Sequence, residues 1–343
     1  PSTVSVSIVP FSTQVNAGPV LGGALDLTTE HGYSHCVEFA ADGYDDAGVA
    51  PGESLQRAGH FDVFTWSRPV NTESVVCPFD TSRHITAWSQ DTDELKAQID
   101  GMWAGGNTSI DIATKWGLAL LDPEFQPVVG DLVSGGEVAG NLLGRPYAYG
   151  RANTLKVLVV MSDGQNTAQY RLEPAYASGA SPVWIDSASG VVSFHDPARS
   201  QYFVFDGANL AALPGGAWAS DPAGGADAVQ LDWTEVWNAW SVRFFARYIE
   251  AEAMGGDWRD HFDAVVADVD PATKNVRTGA ICKAARDAGV IVYSIGMDTY
   301  GQGDATLEAC AGDSLRFFDV RAEDIGAAFS SIARQINQLR LTH

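Results

Sequence analysis

The spacing of apolar and polar positions changes several times along the chain, and each change marks an element. Val4–Pro10 runs Val-Ser-Val-Ser-Ile-Val-Pro, the period of two expected of a half-buried strand. Residues 24–90 hold no sustained period and are rich in Gly, Asp, Ser and aromatic residues. Asp91 and Glu94 make a capping box, and Leu95, Ile99, Met102 and Trp103 recur on one stripe, so a helix is predicted there. Gly105-Gly106 ends it, and Ile110–Leu121 reads as a second helix stopped near Pro123. Lys156–Met161 is an apolar, β-rich run leading into Ser162-Asp163-Gly164, the pattern of a buried parallel strand with a functional loop at its carboxyl end.

From 183 to 206 the period returns to two. Val183-Trp-Ile, Val191-Val-Ser-Phe and Gln201–Phe205 predict a β-meander inside an insertion spanning 171–230, with 207–230 as a Gly/Ala/Pro-rich loop. A helix is predicted from Thr234 to Met254. Its stripe of Trp237, Trp240, Phe244 and Tyr248 reads as core rather than as a ligand groove. The last hundred residues alternate: helix Thr278–Ala288, strand Val290–Gly296, short helix Ala305–Cys310, strand Arg316–Val320, helix Ala322–Leu339. Such alternation predicts an α/β fold, a doubly wound and mostly parallel sheet in one domain over 1–343, carrying the 24–90 excursion and the β-rich 171–230 insertion.

Composition narrows the partners. The 343 residues are 45% hydrophobic with ten Trp, enough for a sizeable core and against wholesale disorder. A net charge of −22 repels nucleic acid and anionic membrane surfaces and attracts cations. No apolar run approaches the ~20 residues of a membrane span, and no signal stretch is present. The chain opens on Pro1 directly in a strand, so a preceding segment is expected.

Cys36, Cys77, Cys282 and Cys310 allow three connectivities, and no Cys-x-x-Cys points to a zinc knuckle or redox pair. Two readings stand: four buried thiols in a reducing compartment, or two disulfides in an oxidising one. Local nesting would close loops of about 42 and 29 residues, each worth about 3.5–4 kcal/mol of chain entropy.

No Gly-x-Ser-x-Gly elbow, P-loop or Gly-x-Gly-x-x-Gly supports a hydrolase, NTPase or dinucleotide reading. Glu30-His31 with His35 has a zinc-like spacing, but Gly32 argues against the helix it needs. Asp42-Gly-Tyr-Asp-Asp46 lacks the EF-hand spacing and reads as a solvated acidic loop. The Ser162-Asp163-Gly164 loop lies where open α/β sheets place their ligand crevice. Taken alone it is a strand-end turn, and Gly105-Gly-Asn-Thr-Ser109 alone is a helix-capping threonine.

In this order the two strings resemble the von Willebrand factor A (vWA) family, whose fourth strand ends in Thr/Ser-Asp-Gly and whose earlier Gly-Gly-x-Thr-like loop carries a metal-site threonine. The resemblance implies a metal-ion-dependent adhesion site with Asp163 and Thr108, flanked by Ser162 and Ser109, for Mg2+ or another divalent cation. A hard cation of this kind prefers oxygen ligands. A closer resemblance is to the TadG-like proteins of the bacterial tight-adherence (Tad/Flp) pilus assembly system. It is carried by Val4–Asn16, Cys36-Val-Glu, Gly106–Pro123 with Lys115-Trp-Gly, Cys282-Lys-Ala-Ala-Arg-Asp-Ala-Gly-Val-Ile-Val-Tyr-Ser-Ile-Gly, Leu307-Glu-Ala-Cys-Ala, Phe317-Phe-Asp and Ala328-Phe-x-x-Ile. It covers most of 3–170 and 230–341.

That resemblance implies an N-terminal membrane anchor, a periplasmic or extracellular placement, and the nested disulfides Cys36–Cys77 and Cys282–Cys310. It also implies a non-catalytic adhesion or assembly role, with an envelope or appendage protein bound at the carboxyl end of the sheet. The rivals are a metal-assisted hydrolase using Asp163 and a purely structural subunit with an incomplete metal site. One departure is large. The family's Asp-x-Ser-x-Ser loop, at the end of its first and central strand, is missing; the nearest string, Asp80-Thr-Ser-Arg-His84, lacks the last Ser. Val4–Pro10 corresponds to the family's second strand. The expectation is therefore an open strand position beside Val157–Met161, filled by a separate or cleaved N-terminal segment. Mg2+ would bind only if that segment supplies the loop, since two side chains seldom hold Mg2+ against its hydration.

Overall fold

A computed structural model of the chain describes residues 4–46, 48, 49, 52, 54–208, 210, 215–301 and 303–342. Strand β1 (Val6–Ile8) leads through α1 (Gly18–Gly23) and the excursion to β2 (Thr86–Ser89), then to α2 (Thr92–Gly101), α3 (Ile110–Ala119), α4 (Gln126–Gly135) and β3 (Val157–Ser162). Next come β4 (Gln169–Leu172), the single turn α5 (Pro174–Ala177), and strands β5 (Ala180–Asp186), β6 (Val192–Asp196), β7 (Gln201–Phe205), β8 (Gly216–Ala219) and β9 (Ala228–Asp232). Helices α6 (Trp233–Ala239), α7 (Val242–Phe245), α8 (Ala251–Met254) and α9 (Trp258–Val265) precede β10 (Val266–Val269). The chain closes with α10 (Pro271–Asp287), β11 (Ile291–Met297), α11 (Asp304–Ala311), β12 (Phe317–Val320) and α12 (Ile325–Thr342).

The fold is mixed α/β. A parallel sheet runs β12-β11-β3, with Ile291 opposite Val157 and Ser294 opposite Phe317. Leu158, Val160 and Val292 pack into the main core with α3, α10 and α11, while Val157 and Val159 pack toward α12 around Tyr293, Ile295 and Ile332. Helices thus cover both faces of this sheet. Apolar side chains on both faces explain why Val157–Met161 reads as a continuous run rather than an alternation.

β1 and β2 form a separate antiparallel pair, Val6 opposite Ser89 and Ile8 opposite Thr86. β2 carries one extra residue, and Trp88 takes up the bulge with φ 51°. The antiparallel pairing reaches beyond residues 171–230. β4 pairs with β10 at the base of the insertion, and an antiparallel sheet of order β8-β7-β6-β5-β9 packs on α6 and α7 around a second core that also includes Phe61, Val63 and Val76.

Several expectations are corrected. Residues 216–219 and 228–232, expected as loop, are strands β8 and β9; each is a short sequence that only its partner defines, β7 for one and β5 for the other. The remaining loop residues 209 and 211–214 lie outside the described residues. The helix expected over Thr234–Met254 breaks at Trp240, which is extended (φ −140°, ψ 146°), and Ser241 caps a new start by accepting from Phe244 N. The break lets Trp237, Trp240 and Phe244 all reach the second core. The Leu95–Trp103 stripe faces no core: α2 buries none of its residues, Ile99 is exposed, and Trp103 instead covers the Arg83 guanidinium at 3.8 Å. Asp91 caps α2 as expected, but Glu94 accepts from Ser89 Oγ rather than closing the box. The 42–46 segment is only partly solvated, since Tyr44 is buried and Asp46 accepts from buried Lys115 at 2.8 Å.

The excursion folds around Asn16. Its Nδ2 donates to Pro78 O at 2.7 Å, and its Oδ1 accepts from Gly18 N and His35 N. The disulfide Cys36–Cys77 lies beside it, buried with Ala58. His31 and His35 share no metal position. His31 Nε2 donates to Ala58 O at 2.9 Å, which leaves Nδ1 to accept from Tyr33 N, so both ring nitrogens are used in the neutral form. Tyr33 stacks on His60, which is buried with Nδ1 unpartnered.

Burial, reinforced by the His31 charge, pushes His60 down to about 4. The unfolded chain takes up this proton near pH 6.5. His60 therefore costs no stability above that value, and stability is lost as pH falls from about 6.5 towards 4, by about 3 kcal/mol. The expected result is a shallower pH dependence of the unfolding free energy in His60→Phe between pH 7 and 4.5. Parallel curves for the two proteins would refute the assignment.

Candidate functional site

Three loops meet at the carboxyl ends of β1 and β3. Ser12-Thr13 follows β1, Asn107-Thr108-Ser109 leads into α3, and Ser162–Thr167 follows β3. Thr13 holds the middle loop from one side: its Oγ1 accepts from Asn107 N at 3.1 Å and its carbonyl accepts from Ser109 Oγ at 2.9 Å. Thr167 holds it from the other. Thr108 N donates to Thr167 Oγ1 at 2.7 Å, and Thr167 N donates to Thr108 O at 3.1 Å.

The start of α3 is capped from a distance. Neither Thr108 nor Ser109 caps it; Ile110 N donates to Asn166 Oδ1 at 2.8 Å. Asn166 Nδ2 in turn donates to Asn275 Oδ1 and Thr278 Oγ1 on α10. This buried amide satisfies one of the orphan N–H groups of the first helical turn.

Beneath the three loops lies Lys274 of α10, fully buried. Its ammonium donates to Thr108 O, Ser109 Oγ and Thr167 O, each at 2.7 Å, which uses all three of its protons. Asp111, in the first turn of α3, is also fully buried, with Arg277 at 3.9 Å. Burial raises the Asp111 carboxyl against the pull of Lys274, and burial pushes Lys274 down to about 8 against the pull of Asp111. Arg277 also lies over the Tyr44 ring at 4.5 Å.

The sequence-predicted residues share this end of the sheet but play different parts. Thr108 is bonded to Thr167, while Asp163 is exposed at the tip of the β3 loop and no hydrogen bond joins the two among the described residues. Ser162 is buried, with Oγ donating to Gly164 O at 3.1 Å, and Ser109 Oγ is engaged by both Thr13 and Lys274. Gly303 (φ 87°) closes over this turn, where a Cβ would stand 2.6 Å from Gly164 O.

This donor set does not by itself fit Mg2+. Only the Thr108 hydroxyl and the Asp163 carboxylate remain to ligate, short of the near-octahedral oxygen shell the ion demands, and a buried ammonium already holds the neighbouring oxygens. Among the described residues no group of three or more His, Cys, Asp or Glu side chains is placed to hold a metal ion.

Thr13, Asn166 and Lys274 were missed by sequence reasoning. Their role rests on contacts between segments far apart in the chain, and no local pattern marks them. Cys36–Cys77 and Cys282–Cys310 are both disulfide-bonded, which points to an oxidising, periplasmic or extracellular setting. No helix among the described residues is long and apolar enough to cross a membrane. Comparison with protein-family models, curated proteins and solved structures finds no match to the chain.

Proposed function

We propose that this chain is a non-catalytic protein-binding module of a bacterial envelope or surface-appendage assembly, of the TadG-like kind. Its doubly wound vWA-type sheet is completed by a strand from a separate or cleaved N-terminal segment. The observation that carries the reading is a pair of open strand edges. β1 pairs only with β2, β3 pairs only with β11, and no ladder joins β1 to β3 among the described residues, although the loops at their carboxyl ends are tied through Thr13, Thr108 and Thr167. An open edge presents unpaired backbone donors and acceptors, and Val4, Val6 and Met161 lie exposed on these two strands or beside them. A strand docked there satisfies both rows and covers these side chains. If it ends in Asp-x-Ser-x-Ser, it adds oxygen ligands beside Thr108 and Asp163, and a divalent cation and a partner carboxylate can then share the site.

The test compares residues 1–343 alone with protein taken from its native source. The chain alone is expected to bind Mg2+ or Mn2+ no tighter than the millimolar range by calorimetry and to exchange fast at those β1 and β3 amides that point into the open position rather than to β2 or β11. Native material is expected to show a further polypeptide by intact mass and protection of those amides. Equal protection of both strands in the chain alone would remove the open position and the proposal with it. A purely structural subunit is the second reading, favoured by Lys274 occupying Thr108 O and Ser109 Oγ. Chelator-sensitive capture of a partner supports adhesion, and chelator-indifferent capture supports the structural subunit. Chelator-sensitive turnover of a peptide or phosphoester would favour the hydrolase instead.

A further inference from the structure

Away from this site, a groove of about 810 Å³ runs along β2, walled by residues 85–90 and by the ends of α1 and α4. Its apolar surface comes from Val20, Leu132, Val138 and the strand itself, and its rim carries Asp91, Asp93, Glu94 and Glu137. Among the described residues no Lys, Arg or His lines it. β1 occupies one edge of β2, and no strand pairs with the other among the described residues.

We propose that this groove binds an extended polypeptide segment in which Lys or Arg alternates with apolar residues, added as a strand along β2. Strand addition explains the combination. Backbone hydrogen bonds to an open edge provide affinity without regard to sequence, and alternate side chains are read by what lies on either side. Here one set meets an apolar floor and the other meets four carboxylates, of which Asp93 stands 3.8 Å from the exposed Lys96 ammonium, a weak surface pair that an incoming cation can share. A segment of four to six residues spans about 13–20 Å at strand rise, the scale of β2 and its flanking turns. The same carboxylates repel an acidic segment, so the charge selects as well as attracts. This site is independent of the strand position between β1 and β3, because it lies on the opposite edge of the β1–β2 pair.

The probe is fluorescein-labelled Lys-Val-Lys-Val-Lys-Val, titrated by fluorescence anisotropy with residues 1–343. The expected result is saturable binding that weakens at least tenfold in three circumstances: when Lys is replaced by Glu, when alternate peptide nitrogens are methylated, and when the protein carries Asp93→Lys with Glu137→Lys. Both protein positions are exposed, and circular dichroism confirms that the variant keeps its fold. Absence of binding overturns the proposal. So does full binding by the methylated peptide, which would mean charge attraction without strand pairing, or full binding by the double variant, which would place the peptide elsewhere.

Discussion

Replacing Lys274 with Met is expected to cost about 3–5 kcal/mol of folding free energy, the scale for removing one partner from a buried charge cluster. Met fills most of the same volume, so the loss is electrical and not a cavity. Thr108 O, Ser109 Oγ and Thr167 O lose their shared donor, and Asp111 keeps only Arg277 at 3.9 Å. Thr108 O keeps Thr167 N and Ser109 Oγ keeps Thr13 O, so Thr167 O and the Asp111 carboxylate lose most, at about 1–3 kcal/mol for each buried group left unpaired before relaxation. Denaturant unfolding measures the total. Hydrogen exchange locates it, with Thr108 and Thr167 amides accelerated beyond the global change because these two residues hold each other only while both carbonyls are held from below. Asp111→Leu in the Lys274→Met background should recover part of the loss, since it removes the stranded carboxylate; a double-mutant cycle reads the coupling. A cost under about 1 kcal/mol for Lys274→Met would show that the three loops hold together without the ammonium.

The second large effect belongs to the disulfides. Cys36–Cys77 and Cys282–Cys310 are separated by 41 and 28 residues in sequence, so their loss is expected to cost about 4 and 3.6 kcal/mol in the chain-entropy model. The consequences differ by place. Cys36–Cys77 pins the excursion around Asn16, so its loss should loosen residues 24–90 first. Cys282–Cys310 ties α10 to α11, and α10 carries Lys274, so its loss should also speed exchange in the Thr108 loop. Cys36→Ala with Cys77→Ala, and Cys282→Ala with Cys310→Ala, compared by unfolding and by residue-resolved exchange, separate the two. Non-reducing peptide mapping of native-source protein should recover the nested pairs. Four free thiols there would contradict both the pairing and the oxidising compartment.

Much of the parallel sheet was legible in the sequence because its elements are locally self-consistent. Val157–Met161, Val290–Gly296 and Arg316–Val320 are apolar runs between helical stretches, and all three are strands in the expected parallel arrangement. The α10 start at Pro271 was not seen, although Asp270 caps it by accepting from Ala272 N and Thr273 N, because the buried face of its first turns is polar: Lys274 and Thr278 stand where apolar residues would signal a helix. The antiparallel lobe was legible only where alternation was strong. Gly216–Ala219 and Ala228–Asp232 are short and weakly patterned, and they become strands through ladders to β7 and β5.

By itself the sequence determined the mixed α/β character, the carboxyl-end loop at Ser162-Asp163-Gly164, the helix entered from Thr108, and the acidic surface. Each follows from local periodicity, turn chemistry or a sum over residues, none of which needs the rest of the chain. Only the tertiary structure decided what the candidate residues can do. Thr108 and Ser109 read as metal ligands until Lys274, distant along the chain, is found bonded to the carbonyl of one and the hydroxyl of the other. Ile99 and Trp103 read as one helical stripe until Ile99 is found exposed and Trp103, past the end of α2, is found over the Arg83 guanidinium. A hydrogen bond or a burial is a relation between partners, and where those partners are far apart in sequence no spacing along the chain encodes which of them will meet.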